Sequence, residues 1–448
     1  MTGSGTELDP YVIYNVTDLE NVNNNLTAWY VLGNDIDCSG VNFYPIGTGS
    51  ESSPNVIVEH PFTGHFNGKN HKIQNLSMNQ DILDYGNVAI FALIRNAEVK
   101  NIIVENPIVT VTISGSGSLS GHKGVFAGEI DDSMLDNIHI TGAEFHTYSE
   151  GGGFAELLYY SNSQEYTISN CSFNGDIYTN ADSSSQPWIG GFAKSIKIDN
   201  ASVLNIHCCY SQGTFIDKSV KGSFLLGGFS ASLYSYLTSK VYISNCHSNY
   251  DLSTGVNIIG QWSGGFIGQI YSVDTSYIEI KQCYSLGDIK IGTLAGGFIS
   301  NVASYDSSTI LIKDCYATGK VTINYKEPTV SCFCGIGVSD ATAFLKFQNC
   351  YGTGLVTNNG TGGVRGFLGS DSTELIDKGY CTNCFWDIET SDTSLSNGGT
   401  GKTTVEMKTQ STFTNWDFDK IWRKFVEGTT YPLLQNKCGC ILFAMGYL

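Results

Sequence analysis

Residues 264–284 read Gly264-Gly265-Phe266-Ile267-Gly268-Gln269-Ile270-Tyr271-Ser272-Val273-Asp274-Thr275-Ser276-Tyr277-Ile278-Glu279-Ile280-Lys281-Gln282-Cys283-Tyr284. Ile278 and Ile280 share one face of a strand, because side chains alternate along extended backbone. On the same strand Cys283 would face the other way, so residues 281–282 must turn the chain. The Ile-x-x-Cys line recurs as Ile168/Cys171, Ile206/Cys209, Ile243/Cys246, Ile280/Cys283 and Ile312/Cys315. Phe347/Cys350 and Cys384 continue it, and the cysteines lie 32 to 38 residues apart. Leu76, Ile102 and Ile138 are expected in the same slot upstream. Asn precedes many of these positions (Asn75, Asn101, Asn137, Asn170, Asn245, Asn349, Asn383), and Asn tolerates the left-handed backbone of a tight corner.

A second line, Gly-Gly-Phe, keeps step with the first at Phe154, Phe192, Phe229, Phe266 and Phe298, with looser copies at Phe91, Phe126, Phe333 and Phe367. Each unit reads as three short strands, one near Phe266, one over 277–280 and one over 283–291. Such a unit cannot bury its own apolar edge, and the remedy is to stack units as coils of a parallel β-solenoid. A propeller blade would need a fourth strand. At about 4.8 Å per coil, nine to ten coils make a rod roughly 45 Å long. Stacking makes Cys171, Cys209, Cys246, Cys283, Cys315, Cys350 and Cys384 a column of reduced thiols that behave as small hydrophobes. Parallel neighbours present poor geometry for a disulfide.

Composition narrows the function. The 448 residues carry 24 Lys+Arg against 42 Asp+Glu, a net charge of −18, the wrong sign for nucleic acid. With 41% hydrophobic and 12% aromatic residues, the chain is too apolar for intrinsic disorder. No apolar run approaches the ~20 residues of a membrane span. No basic and apolar leader follows Met1, which fits a virion protein or a surface protein whose leader is absent from this chain.

The N-terminal run Gly3-Ser4-Gly5-Thr6, Asp9-Pro10-Tyr11-Val12-Ile13, Asp18-Leu19, Tyr30-Val31-Leu32-Gly33-Asn34-Asp35-Ile36-Asp37 and Pro45-Ile46-Gly47 precedes Phe62-Thr63-Gly64-His65-Phe66-Asn67-Gly68-Lys69-Asn70-His71-Lys72-Ile73 and Leu76. Near the other end stand Cys384-Phe385-Trp386-Asp387, the run 398–404, Met407-Lys408, Phe413, Trp416-Asp417-Phe418, Ile421-Trp422 and Tyr431-Pro432. Together these resemble the GLUG-motif class of bacterial and archaeal cell-surface proteins across residues 3–434. The resemblance implies a right-handed parallel β-helix used for display, adhesion or scaffolding, with no shared catalytic residues, and structural roles for His65 and His71.

Several motifs invite chemistry. The run Gly398-Gly399-Thr400-Gly401-Lys402-Thr403-Thr404 mimics a phosphate loop, but Ser396 stands where its first glycine is needed, so it reads as a turn. Cys381 and Cys384 with Cys438 and Cys440 could offer four thiolates to zinc, although Cys384 already has a column slot; Cys332 and Cys334 are a weaker pair. Asp35 and Asp37 read as backbone-bonding turn residues. Polysaccharide cleavage would need paired carboxylates about 5–9.5 Å apart. Asp176, Asp251 and Asp288 fall in related places, and Asp131 and Asp132 form another acidic pair, yet all are explained by a solvated surface.

The ligand-binding candidates are Tyr210, Tyr284, Tyr316 and Tyr351, which follow the column cysteines and share their slot with His247 and Phe385. Alternation turns them outward as a stripe that either steadies the rod or offers a platform to sugar rings. Loops 181–187, 234–239 and 271–276, rich in Tyr, Ser and Asp, are a second candidate surface. The expectation is therefore an all-β rod with an N-terminal cap (1–60), coils (61–385) and a C-terminal cap with an apolar tail (386–448). It would act without catalysis, cofactor or metal as a structural or adhesive protein on a cell or particle surface, such as a virion fibre or spike, bound to a glycan or surface protein. Residues 438–448 would seal the last coil or dock into neighbouring virion or surface-layer subunits. The competing reading is a polysaccharide-degrading tailspike-type glycosidase or lyase.

Overall fold

In the computed structural model each repeat turns where the side-chain parity demands. Residues 1–448 are described except 48–49, 54–55, 82–86, 113–120, 149, 180–186, 218–223, 255–261, 292, 325–329, 372–379, 424–425, 436 and 439–448. The unit that begins the sequence reading forms strands Trp262–Gly264, Ile267–Ser272, Tyr277–Lys281, Tyr284–Ser285 and Ile289–Ile291. Five short segments replace the three expected because glycines break two of them. A Cβ on Gly264 would lie 1.8 Å from the Ile267 carbonyl oxygen, and one on Gly265 would lie 2.2 Å from that of Gly297. Only glycine fits a corner this tight.

Successive units stack in parallel register into a β-solenoid of about 8 turns, with 53% strand and 4% helix, somewhat fewer turns than nine to ten. One sheet stacks nine strands from Phe91–Arg95 to Leu368–Asp371. Ile278 and Ile280 pair with Ile310 and Ile312 on the next coil and with Val241 and Ile243 on the one before. The phenylalanines form a column inside, with centroids of Phe192, Phe229, Phe266, Phe298 and Phe333 spaced 4.8, 4.9, 5.0 and 5.0 Å, the distance between hydrogen-bonded strands.

All seven column cysteines are free and buried. Burial pushes the thiols of Cys209, Cys283, Cys315 and Cys384 up, which keeps them protonated and unreactive. Each thiol points at a carbonyl two residues earlier: Cys171 at Ser169 (3.1 Å), Cys283 at Lys281 (3.2 Å), Cys350 at Gln348 (3.2 Å). The thiol adds a weak second donor to a carbonyl that already accepts the corner amide of the neighbouring coil, as Lys281 does from Asn245 (3.2 Å) and Gln348 from Asp314 (2.9 Å). The corner residues have the expected left-handed backbone, with φ of 55° at Asn137, 53° at Asn170, 54° at Asn245 and 54° at Asn349. Where the repeat departs from Asn the geometry persists, at Cys208 (55°), Gln282 (54°) and Asp314 (52°).

One slot is misplaced by the repeat count. Ile102 and Ile138 pair with each other, but Leu76 does not join them. Ile103 pairs with Lys72 and Ile108 with Ser77, so Leu76 lies beside Pro107 at a different corner. The early coils have two left-handed Asn corners, Asn70 (62°) and Asn75 (56°), and the Asn signal alone does not say which belongs to which column.

At the N-terminus Tyr11–Ile13 pairs with Trp29–Leu32, which pairs with His65–Asn67, so this stretch joins the stack. At the other end Thr400–Lys402 pairs with Phe385–Asp387, and a short helix, Thr404–Met407, follows with Thr403 and Glu406 forming a capping box. Replacing Phe266 by Ala removes a ring with neighbours above and below. It is expected to cost about 3–5 kcal/mol, read as a lower midpoint in denaturant unfolding.

Candidate functional site

Tyr210, His247, Tyr284, Tyr316, Tyr351 and Phe385 lie in one register line on the outer side of the coils. From Tyr210 to Tyr351 their ring centroids are 4.9, 4.7, 4.9 and 5.2 Å apart with interplanar angles of 5–6°. Stacked in this way, each ring covers the face of the next. The lower half of the stripe is also covered by the chain itself. Tyr316 (5% exposed), Tyr351 (0%) and Phe385 (8%) form a second core with Met407, Phe413, Trp416, Phe418, Trp422 and Leu434. The Tyr351 hydroxyl donates to the Pro432 carbonyl at 2.6 Å, and Trp416 Nε1 to that of Asn383 at 3.2 Å. Tyr316 and Tyr351 therefore seat the C-terminal module and face no solvent; Tyr284 packs against its margin, and Tyr210 and His247 are half-buried beyond it.

Between its tyrosine neighbours, the His247 imidazole has its pKa lowered from 6.5 to about 4 because burial disfavours the charged form. The unfolded chain takes up this proton first as pH falls, so the folded state loses stability between about pH 6.5 and 4. His247→Tyr is expected to stabilise the protein more at pH 5 than at pH 8, as read by thermal unfolding at the two values.

The module ends in a covalent tie, a Cys208–Cys438 disulfide across 230 residues. It brings the start of the expected tail to a coil well inside the rod. Lys437 Nζ approaches Gln282 Oε1 at 3.4 Å and Cys438 Sγ the Asn245 carbonyl at 3.5 Å, so this stretch follows the line of corner residues. The bonded pair, Cys208 and Cys438, lies outside the internal column, whose seven thiols are free. The four-thiolate set does not assemble around Cys438, whose sulfur is bonded to that of Cys208; Cys440 lies outside the described residues. Cys332 and Cys334 are buried in the coil. Cys438→Ser is expected to cost about 2–4 kcal/mol, and peptide mapping without reductant should recover the 208–438 link.

The carboxylates singled out by sequence are held by neighbouring coils. Asp176, Asp251 and Asp288 each accept a backbone N–H from the next coil, from Thr214 (2.9 Å), Asp288 (2.8 Å) and Lys320 (2.8 Å). Asp131 pairs with Arg95, and Asp132 accepts from the Ser161 amide. Asp35 accepts from the Lys72 amide, and Asp37 from Ser39 and Asn75. His65 stacks on Trp29 at 3.6 Å, and His71 contacts Asp35. The glycine-rich run 398–404 supplies the strand laid on Phe385–Asp387.

Sequence reasoning missed one buried ionic network. The Glu156 carboxylate, 1% exposed, accepts from His122 Nδ1 (3.0 Å), the Lys123 amide (2.8 Å) and Lys194 Nζ (2.8 Å). Lys194 also reaches Glu150 at 2.8 Å, and His122 Nε2 lies 3.4 Å from Glu129. Burial would raise the Glu156 carboxyl, but Lys123, Lys194 and His122 hold it well below the usual range. The signal was present: two residues after the repeat phenylalanine stand Glu156, Lys194, Ala231, Gly268 and Ser300. Opposite charges on neighbouring coils at one slot predict an ion pair, and this one braces coils in the interior.

The loops 234–239 and 271–276 come together on one surface; of the third, residues 181–186 lie outside the described residues. Paired left-handed residues form the successive turn tips: Asn200 and Ala201 (51°, 59°), Leu237 and Thr238 (45°, 62°), Asp274 and Thr275 (55°, 60°). Ala201 N donates to the Leu237 carbonyl at 2.9 Å and Thr238 N to that of Asp274 at 3.0 Å. Beneath them run buried serine pairs, Ser235–Ser239 at 2.9 Å and Ser272–Ser276 at 2.7 Å. The tips line a shallow, open groove bordered by Asn162, Ser163, Asn200, Leu237 and Asp274. Beside it stand half-buried Tyr234, Tyr236, Tyr271 and Tyr305. Here Tyr271 is inclined to its neighbours, at 60° to Tyr234, 53° to Tyr236 and 51° to Tyr305, while Tyr234 and Tyr236 lie near-parallel at 9° with centroids 6.2 Å apart.

No family model matches the chain. It is similar to Halomucin of Haloquadratum walsbyi, 29% identical over 139 residues, covering 29% of this chain and 1% of that protein. It is also similar to a putative Gly-rich membrane protein of Evansella cellulosilytica, 34% identical over 87 residues, covering 19% of this chain and 10% of that one. The chain thus spans a small fraction of the length of these relatives. Among solved structures it is similar to a putative immunoglobulin A1 protease from Bacteroides ovatus, with 19% identity, a TM-score of 0.39 and coverage of 97% of this chain and 94% of that one. An IgA1 protease gives 13% identity, a TM-score of 0.40 and coverage of 97% and 26%.

Proposed function

We propose that this β-solenoid is a non-enzymatic structural or adhesive protein of the GLUG-motif class, displayed on the surface of a cell or particle, a virion fibre or spike included, where it binds a glycan or partner protein. The observation that carries this reading is the tyrosine-rich surface over 234–239 and 271–276, which repeats on adjacent coils and has no covering segment among the described residues. The Asp176, Asp251 and Asp288 carboxylates, by contrast, are engaged by backbone amides of the next coil. The Cys208–Cys438 disulfide suits an oxidising compartment. Weak likenesses to Halomucin and to a Gly-rich membrane protein agree with a surface setting. Incubating the full chain with capsular and cell-wall polysaccharides tests the reading by size-exclusion of the sugars. Retention at unchanged chain length is expected; shortened products would overturn it in favour of a polysaccharide-degrading protein.

A further inference from the structure

Resting on that reading, we infer that the groove at the turn tips and the tyrosines beside it form a binding site for an extended, uncharged polysaccharide lying along the axis of the rod. Ring orientation separates this surface from the outer stripe. In the stripe the rings are parallel and cover one another's faces, whereas Tyr271 stands at 51–60° to Tyr234 and Tyr305. Inclined rings keep faces that can receive the apolar side of a pyranose, and their hydroxyl ends supply hydrogen bonds.

The spacing favours a polymer. Ser235, Ser272 and Ser304 share one register line, so Tyr236, Val273 and Tyr305 occupy the next slot on three successive coils. Tyr236 and Tyr305 are thus two coils apart, about 9.6 Å along the rod. A linear sugar chain on this axis meets Tyr236 and Tyr305, and on the coils before Tyr236 the polar groups of Asn200, Asn162 and Ser163.

Charge selects among polysaccharides. The chain carries −18 overall, Asp274 lines the groove, and Asp199 occupies the Tyr236 slot one coil earlier. Of the nearby cations, Lys197 lies over the Tyr159 ring with Nζ 5.3 Å from its centroid, Lys194 is paired with Glu150 and Glu156, and Lys240 stands exposed after the 234–239 turn. With Lys194 neutralised by its glutamates and the chain strongly acidic overall, uronate and sulfate polymers are disfavoured. A peptide adding as a strand finds no foothold either, because the amides of Ala201, Thr238 and Thr275 at the tips already donate to the next coil.

The test uses the full chain, titrated calorimetrically with cellohexaose, maltohexaose and chitohexaose, and with heparin and polygalacturonate as polyanions. At least one uncharged hexasaccharide should bind, more tightly than its disaccharide. Tyr236→Ala with Tyr271→Ala should weaken binding about ten-fold or more, while Tyr242→Ala, on a different strand, leaves it unchanged; thermal unfolding of each variant verifies the fold. The inference is overturned if no uncharged hexasaccharide binds, if only polyanions bind, or if the double variant binds as tightly as the parent. A parallel assay on whole cells separates the two claims. Double-variant protein that adheres as well as the parent sinks the groove and leaves surface adhesion standing, whereas cleaved sugar sinks adhesion itself.

Discussion

Parallel in-register stacking turns residues more than thirty positions apart into nearest neighbours, and every other feature depends on it. A side chain at a given slot meets its counterpart at about 4.8 Å, so its identity is constrained by two neighbours of the same kind. Phenylalanine at this spacing makes the internal ring column, and isoleucine fills the wall beside it. The thiols form a column because they are small, apolar and able to donate weakly to corner carbonyls. The same rule makes Glu156 and Lys194 an ion pair, and lets one aspartate cap the amide of the coil that follows.

The rule also sorts the outer surface. Where rings in a register line lie parallel, they bind to each other and to the C-terminal module, as Tyr316 and Tyr351 do under Trp422 and Trp416. At the turn tips Tyr271 is inclined to Tyr234, Tyr236 and Tyr305 and stays half-buried.

Legibility in the sequence follows the same division. Phe266, Ile280, Cys283 and the Asn corners could be read directly, since each obeys a period of about one coil and alternation fixes which way it faces. Glu156 and Lys194 obeyed the period too, and comparing adjacent copies slot by slot would have found them. Leu76 went astray because its Asn belongs to a second corner of the early coils. The cover over Tyr316 and Tyr351 and the bond between Cys208 and Cys438 have no period at all. They depend on how a segment after the last coil returns along the rod, which no local pattern specifies.

That returning segment has a mechanical corollary. Tension applied to anything joined beyond Cys438 would enter the rod at Cys208, through a covalent bond, and bypass the coils enclosed by the loop. Those coils could not be peeled away one at a time from the C-terminal end, as an untied solenoid could. A tether there would pull on the middle of the shaft, where shearing several stacked strands together resists extension better than unzipping them singly.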